Sequence, residues 1–397
     1  MVNRKLYSPP CCAFVPPSYN AAMNTRFDVC IRGDGMVGRS LALLLARQHL
    51  RVALVGQTQT EQADVRAYSL NSASRQLLQD LKCWPDSTDA TPVQHMRVWG
   101  DDGGFVRFDS PQADGLSWIV DVPVLEAQLA NAVRFSPDIT TVDTPVPAAL
   151  TVICEGRHSQ TRAQLQVPFD TLPYHQHAVA ARLQASQPHR GQAMQWFHQG
   201  THGLEILALL PMGGPEGQTL ALVWSLPPER AQAVLALTDA EFTAALEEAS
   251  QNNLGQLSLI SARAQWPLQL ARAQRWCGQM DDGSAWVLAG DAAHTIHPLA
   301  GLGLNLGLAD VAELARVLQA RQGRDYWRSP GDRVLLRRYE RARKAGMLPT
   351  WLACDGLQRL FAHPDVRVQS LRNWGMRGFD QLDGLKRWTM QQAMQHR

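Results

Sequence analysis

A strand-like run, Phe27-Asp-Val-Cys-Ile31, leads into Gly33-Asp34-Gly35-Met36-Val37-Gly38, and a helical stretch follows from Met36 to about His49. Glycines at this spacing, after a strand and at the mouth of a helix, suit a phosphate. The first allows a tight turn, the second lets a pyrophosphate approach the backbone, and the third permits close helix–sheet packing. The helix N-terminus adds free N–H groups and a positive dipole. Arg51–Val55 supplies a second apolar strand and completes a βαβ unit. A fortuitous glycine turn is the weaker reading of this context. The acid that normally ends the second strand and accepts the ribose hydroxyls is missing, since the chain reads Leu54-Val55-Gly56-Gln57. Gln57 offers a neutral hydrogen-bonding group there, and Glu61 and Asp64 follow in a polar loop.

The second constellation is Gly290-Asp291-Ala292-Ala293-His294, followed by Pro298-Leu299-Ala300-Gly301-Leu302-Gly303-Leu304-Asn305. An acid at a strand tip can hold a polyhydroxyl chain. A glycine-rich helix entry behind it can border a planar acceptor and stabilise negative charge on it. The alternative is a capped strand–helix junction without a ligand. His294 and His297 lie three apart, but only Asp291 stands near them, so no metal site is expected. Neither a Gly-x-Ser-x-Gly elbow nor a Gly-Lys-Ser/Thr phosphate loop is present.

The remaining chain must position these groups. Leu125–Val133 fits a helix and Leu150–Cys154 a buried strand. Ala178–Leu183, Ala193–Phe197, Glu205–Leu210 and Leu220–Trp224 are strand-like runs separated by turns, which predicts a mostly antiparallel sheet. Asp239–Ser250 reads as a helix with Asp239 as its N-cap, Trp286–Ala289 as a short strand, and Gly303 to about Gln319 as a long helix. From Arg333 onward the composition is helical. Trp99, Trp118, Trp196 and Trp224 fall on sheet segments and are expected in the core or in a pocket wall rather than as stacking platforms.

The chain has 397 residues, 38 Lys+Arg against 36 Asp+Glu, and 45% hydrophobic residues, a globular composition that excludes collagenous and wholly disordered classes. Seven Cys without a Cys-x-x-Cys pattern predict reduced thiols in a cytoplasmic protein. No apolar run is long enough to span a bilayer. Residues 1–26, with Pro9, Pro10, Pro16 and Pro17, read as a disordered extension without a signal-peptide core, and Met23 is an alternative start. Asp332–Arg397 carries 13 Lys+Arg and 6 Asp+Glu, a net +7, and includes Trp351, Trp374 and Trp388. Such a segment can meet anionic lipid or an acidic partner; a solvated helical face is the equal alternative. Nucleic acid is not expected, because the whole chain is near neutral and carries no nucleic-acid motif.

Gly33–Gly38, the stretch Asp64-Val-Arg66-Ala-Tyr-Ser-Leu-Asn71 and the Gly290–Asn305 run together resemble the FAD-dependent aromatic hydroxylases of ubiquinone biosynthesis. These belong to the p-hydroxybenzoate-hydroxylase-like flavoprotein monooxygenases. The resemblance extends through Leu209-Leu-Pro-Met212, Val223-Trp-Ser225 and Asp355-Gly-Leu-Gln-Arg-Leu-Phe361. It implies an α/β fold with a Rossmann-like FAD-binding domain (27–92, 120–166 and 276–345), an inserted antiparallel β-sheet substrate domain (93–119 and 167–275) and a C-terminal helical segment (346–397).

The resemblance also implies roles. Gly33, Gly35 and Gly38 would hold the FAD pyrophosphate, with Arg66 near the flavin and its phosphates. Gly290 and Asp291 would serve the ribityl chain. Pro298 and the backbone of Gly301, Leu302, Gly303, Leu304 and Asn305 would border the isoalloxazine ring. Glu155 and Gly156, in Cys154-Glu155-Gly156-Arg157-His158-Ser159, stand where the family has an Ala-Asp-Gly motif serving FAD and NAD(P)H. No side chain is assigned as an obligatory acid or base, because the flavin carries the chemistry. The implied reaction uses NAD(P)H and O₂ to hydroxylate a polyprenylated phenol or quinone precursor. The implied location is cytoplasmic or peripheral at the inner membrane, with membrane or ubiquinone-synthesis-complex contact through the basic C-terminal segment. Departures from the pattern are Arg32 and Asp34 around the first glycine, Gly56, Leu302 and a short stretch between Val133 and Leu150. They motivate the alternative of a flavin-poor scaffold homologue.

Overall fold

Val29, Cys30 and Ile31 are fully buried in β1 (Phe27–Arg32), as expected of a strand covered on both faces. The chain then forms α1 (Met36–Ala46), β2 (Val52–Val55), β3 (Ala67–Leu70), α2 (Ser72–Asp80), β4 (Ala90–Val93), β5 (His95–Trp99) and β6 (Phe105–Asp109). β7 (Ser117–Asp121), α3 (Val122–Arg134), β8 (Ile139–Val142), β9 (Ala148–Ile153) and α4 (Gln160–Gln164) follow. Next come β10 (Phe169–Ala185), β11 (Gln192–Gly200), β12 (Gly203–Pro211), β13 (Thr219–Leu226), α5 (Pro228–Ala236), α6 (Asp239–Ala249) and β14 (Leu257–Leu259). β15 (Ala264–Ala273), β16 (Cys277–Gln279), β17 (Ala285–Leu288), β18 (His294–Thr295), α7 (Leu302–Gln319), α8 (Arg333–Ala362) and α9 (Val366–Gln381) complete it. This computed structural model describes residues 27–56, 64–110, 115–214, 216–296, 302–322, 328–362, 365–382, 384 and 386. The expectations for residues 1–26, Gln57, Glu61, His297, Pro298, Gly301 and Trp388 lie outside them.

The first sheet has the order β16-β17-β9-β1-β2-β8. β1 pairs in parallel with β2 and β9, which brings the ends of three strands to one edge: Arg32 opposes Val55 on one side and Ile153 on the other. The glycine turn, Gly56 and the Cys154–Ser159 turn therefore emerge together, at the carboxyl ends of parallel strands where α/β sheets bind ligands. The short stretch before Leu150 holds one strand, β8, which extends the sheet in parallel beside β2.

The second sheet has the order β18-β15-β10-β13-β12-β11-β5-β6 and is antiparallel except where β11 meets β5. A small third sheet, β3-β7-β4, sits between the two. β10 runs far beyond the expected Ala178–Leu183, because its first half pairs with β15 before its second half pairs with β13. Trp118, Trp196 and Trp224 are buried, and Trp99 stacks on Trp196 at 4.7 Å, so these indoles serve the core.

Two helix ends differ from expectation. The cap of α6 is Thr238, not Asp239: Thr238 accepts from the Glu241 N–H while Glu241 accepts from the Thr238 N–H, a capping box. α1 stops at Ala46, and His49 turns left-handed (φ 57°) to lead into β2. The helical C-terminal region forms as two helices, and the thirty-residue α8 runs through Gly346 without a break.

Candidate cofactor site

The three glycines of the first turn do different work. Gly33 has φ +108°, and a Cβ there would lie 2.5 Å from the Cys154 carbonyl oxygen; a Cβ on Gly38 would lie 1.9 Å from the Gly33 oxygen. Both are demanded by backbone packing. A Cβ on Gly35 would meet nothing within 4 Å, so that position faces open space. Gly35 is also the N-cap of α1, with no side chain capping it and no acid in the first turn. That leaves a helix N-terminus suited to an anion.

Val37 joins this turn to the second motif. A Cβ on Gly290 (φ +63°) would approach Val37 to 3.2 Å, and one on Gly307 in α7 to 2.7 Å, so the valine is wedged between them. The Asp291 side chain is exposed, yet it sits so deep among protein atoms that desolvation raises its carboxyl pKa, against the pull of His294, Arg157 and Arg66. Tyr68 behaves alike: half-buried, its phenol is pushed up by desolvation, with Arg66 opposing and Asp291 adding to the rise. Groups that are accessible but surrounded line a cleft. A Cβ on Gly303, in the first turn of α7, or on Gly156 (φ +74°) would likewise meet nothing within 4 Å.

Other residues of the second motif face inward. Leu304 is buried, and Asn305 is a clamp: its Oδ1 accepts from the Asn71 N–H at 2.9 Å and the Ser74 hydroxyl at 2.7 Å, and its Nδ2 donates to the Ser69 carbonyl at 2.7 Å. At Leu304 and Asn305 this leaves the backbone, rather than the side chains, for a ligand. Leu302 opens α7, but its side chain is outside the described residues.

Arg66 is held as a fork on Asp64 (Nε to both carboxylate oxygens at 2.9 Å), reaches Tyr68 Oη at 3.2 Å, and has its carbonyl taken by Arg182 of β10 at 2.7 Å. The Asp64 hydrogen bond raises the Arg66 pKa further, so the guanidinium stays charged. Arg182 also contacts Met212 and lies 3.4 Å from Asp121, which ties the large sheet to the cleft. Glu155 is saturated. It accepts from Ser159 Oγ at 2.7 Å, Thr161 N at 3.0 Å and Thr161 Oγ1 at 2.5 Å, and pairs with Arg32 Nε at 3.0 Å. Burial opposes its ionisation, but the Thr161, Ser159 and Arg32 partners win and hold its pKa down. The unusual Arg32 and the lengthened acid at 155 are therefore partners.

Sequence reasoning missed two supports. Arg162, buried over the Phe169 ring at 3.6 Å, donates to the Ala292 carbonyl at 2.9 Å and the Arg157 carbonyl at 2.7 Å, bracing both turns. Asp310, fully buried in α7, accepts from Gly290 N at 2.9 Å, His294 Nε2 at 2.6 Å and Arg343 Nε at 2.7 Å. An acid inside the apolar run Leu304–Val311 was the signal that could have found it. His294 thus faces Asp310, and among the described residues no His/Cys/Asp/Glu group is arranged to hold a metal.

A parallel sheet with an uncapped glycine turn, and a polar cleft beside it, defines a dinucleotide-binding protein. Residues 129–347 match the FAD binding domain family. The chain is 31% identical to the ubiquinone hydroxylase UbiL of Rhodospirillum rubrum, covering 92% of this chain and 89% of that one. It is 27% identical to the 3-demethoxyubiquinol 3-hydroxylase of Escherichia coli, covering 94% and 99%. In fold it resembles the p-nitrophenol 4-monooxygenase PnpA of Pseudomonas putida, with a TM-score of 0.71 at 16% identity over 92% of this chain and 96% of that one. The chain belongs to the FAD-dependent aromatic hydroxylases, within the p-hydroxybenzoate-hydroxylase-like flavoprotein monooxygenases. The residues present fit FAD: Gly35, Gly156 and Gly303 leave room beside an uncapped helix end, and Asp291 offers an acceptor to hydroxyls.

Proposed function

We propose that this protein hydroxylates the aromatic ring of a polyprenylated phenol or quinone precursor in ubiquinone biosynthesis, with NAD(P)H as electron donor and O₂ as oxidant. The observation that carries the reading is the set of open glycines on turns joined through Cys154 and Val37, with Asp291 exposed and Tyr68 half-buried in a surrounded cleft. FAD, when bound, would supply the redox chemistry: hydride acceptance from the nicotinamide and O₂ activation for transfer of one oxygen atom to the ring, the other leaving as water.

The protein's part is binding, orientation and charge. Gly35 and the N-terminus of α1 take the pyrophosphate, on a turn shaped by Gly33 and Gly38. Arg66, fixed by Asp64, supplies positive charge beside it. Asp291, on the Gly290 turn, accepts hydrogen bonds from ribityl hydroxyls. The backbone of Leu302–Asn305 borders the isoalloxazine ring, and the N-terminus of α7 favours negative charge there. Glu155 acts by holding the Gly156 turn.

The domain division proposed from the sequence goes with this reading: the parallel sheet holds the cofactor and the large sheet walls the substrate side. A polyprenyl tail sits in a bilayer, and no helix among the described residues is long and apolar enough to cross one. Peripheral contact is proposed through α8 and α9. Leu348 and Leu352 are exposed one turn apart on α8, Arg341 is exposed two turns before them, and Trp374 on α9 is 73% exposed. Trp351 is engaged elsewhere, under Arg272 at 4.7 Å.

The test is anaerobic and aerobic incubation of the FAD-loaded protein with NAD(P)H and a short-chain prenylated phenol. Product gaining one oxygen atom only in air supports the reading; NAD(P)H oxidation without ring product contradicts the substrate class. Co-sedimentation with anionic vesicles tests the membrane contact, using Leu352→Ser with Trp374→Ser. Cutting at Gly346 would sever α8, so point variants are the cleaner probe.

A further inference from the structure

The end of β2 offers no acid for the adenosine ribose, yet the space beside it is not empty. A Cβ on Gly56 would lie 3.3 Å from Asp34 Oδ2 and 3.7 Å from Asp34 Cγ, with Thr141 Cγ2 of β8 at 3.5 Å. The Asp34 side chain, from the middle of the glycine turn, thus lies across the C-terminal end of β2. There a side chain from position 56 would begin. The backbone geometry makes this natural, because the Gly33 N–H donates to the Val55 carbonyl at 3.3 Å and pins the turn to the strand end.

Asp34 is held there from one side. Its Oδ2 is 3.4 Å from Arg39 Nη2, and Arg39 in turn donates through Nη1 to the Glu126 carbonyl at 3.2 Å. That pair is long for a charge-assisted hydrogen bond, so the carboxylate keeps acceptor capacity for a further donor. Its side chain remains 19% exposed. Two departures from the dinucleotide pattern, an acid where a small residue is usual and glycine where an acid is usual, are therefore neighbours, and a side chain at 56 would press on Asp34.

We infer that Asp34 replaces the missing strand-end acid as the acceptor for the adenosine ribose hydroxyls of FAD, and that Gly56 is glycine because Asp34 occupies its side-chain space. The inference rests on FAD binding at this cleft. It makes the acid at 34 and an acid at 56 mutually exclusive, since two carboxylates in one site repel each other and compete for the same hydroxyls.

The experiment is titration of the apoprotein with FAD and separately with FMN, followed by flavin fluorescence, for the wild type, Asp34→Ala, Gly56→Glu and the double variant. Far-UV circular dichroism and a thermal melt establish folding of each. Loss of a hydrogen bond to a charged group predicts that Asp34→Ala weakens FAD by about ten- to a hundredfold. FMN, which lacks the adenosine half, is then bound unchanged. Gly56→Glu alone also weakens FAD, and the double variant binds FAD more tightly than either single variant. The inference is overturned if Asp34→Ala leaves FAD affinity unchanged or tightens it, if FAD and FMN weaken equally, or if Gly56→Glu alone improves binding. A folded wild type that binds no FAD overturns the cofactor reading itself, and the inference with it.

Discussion

Asp310 and His294 meet at 2.6 Å in the interior, both essentially closed to solvent, and the same carboxylate oxygen takes the Gly290 N–H at 2.9 Å. One buried acid of α7 therefore shapes the turn that presents Asp291. Arg343 of α8 neutralises it from the other side at 2.7 Å, and Trp276 stacks on the His294 ring at 5.1 Å. The cleft is set from behind, through a residue of α7 that lies beyond the Gly290–Asn305 motif.

Asp310→Ala should cost about 3–5 kcal/mol, because it strands the Arg343 charge in the interior. Burial opposes ionisation of Asp310, but His294 and Arg343 outweigh it and hold the folded-state pKa below the usual carboxylate value. A lowered pKa contributes stability that is present above the unfolded value, about 4, and lost as pH falls through the folded one. Urea unfolding followed from pH 7 to pH 3 should therefore show a steeper loss in the wild type than in Asp310→Asn. Equal slopes would deny Asp310 this role.

Gly35→Ala and Gly38→Ala should separate binding from folding. The first adds a methyl in open space, so the melt should be nearly unchanged while FAD affinity falls. The second drives a methyl into the Gly33 carbonyl and should destabilise the apoprotein outright. Thermal melts beside flavin titrations check both, and a tight-binding Gly35→Ala would remove the turn from the site.

Asp291→Asn should stabilise the apoprotein and weaken the complex. Desolvation raises the Asp291 pKa in the fold, so the stability it contributes is complete below the unfolded pKa and is lost as pH rises through the folded one. At neutral pH the carboxylate is a liability that a neutral amide removes. Melts at pH 7 and pH 4 should show the gain at pH 7 only, while flavin titration shows weaker FAD binding. A lower apoprotein melting temperature at pH 7 would contradict this assignment.

The Arg32–Glu155 pair should prove modest as a pair and larger as a cap. Their side chains are partly exposed, so a double-mutant cycle should give a coupling below about 1 kcal/mol. Glu155→Ala alone should cost about 1–3 kcal/mol, since the Ser159 hydroxyl and the Thr161 hydroxyl and N–H lose their acceptor. Chemical denaturation of the single and double variants measures both.

The parallel sheet and its glycine turn were legible because burial on both faces leaves continuous apolar runs and the turn chemistry is local. The different parts of the three glycines were legible too: the motif predicts a tight turn at Gly33, open space at Gly35 and close packing at Gly38, and a Cβ would meet the Cys154 carbonyl at the first, nothing at the second and the Gly33 carbonyl at the third. What the motif does not carry is the partner of Gly33, because Cys154 lies more than a hundred residues away. Asn305 was read for its backbone alone, and the clamp its side chain forms on β3 and α2 carries no sequence signal. Asp34 and Gly56 read as two independent departures, because their proximity arises only when the first turn is pinned to the end of β2. The full seventeen-residue length of β10 was hidden as well, since Phe169–His177 is polar and exposed enough to read as loop.

The visible absorption spectrum of the purified protein, taken after incubation with excess FAD and desalting, tests the central claim most directly. Retained flavin bands that bleach on anaerobic addition of NAD(P)H and return in air are the expected result. A folded protein that emerges from the column colourless would contradict it and leave the scaffold alternative standing.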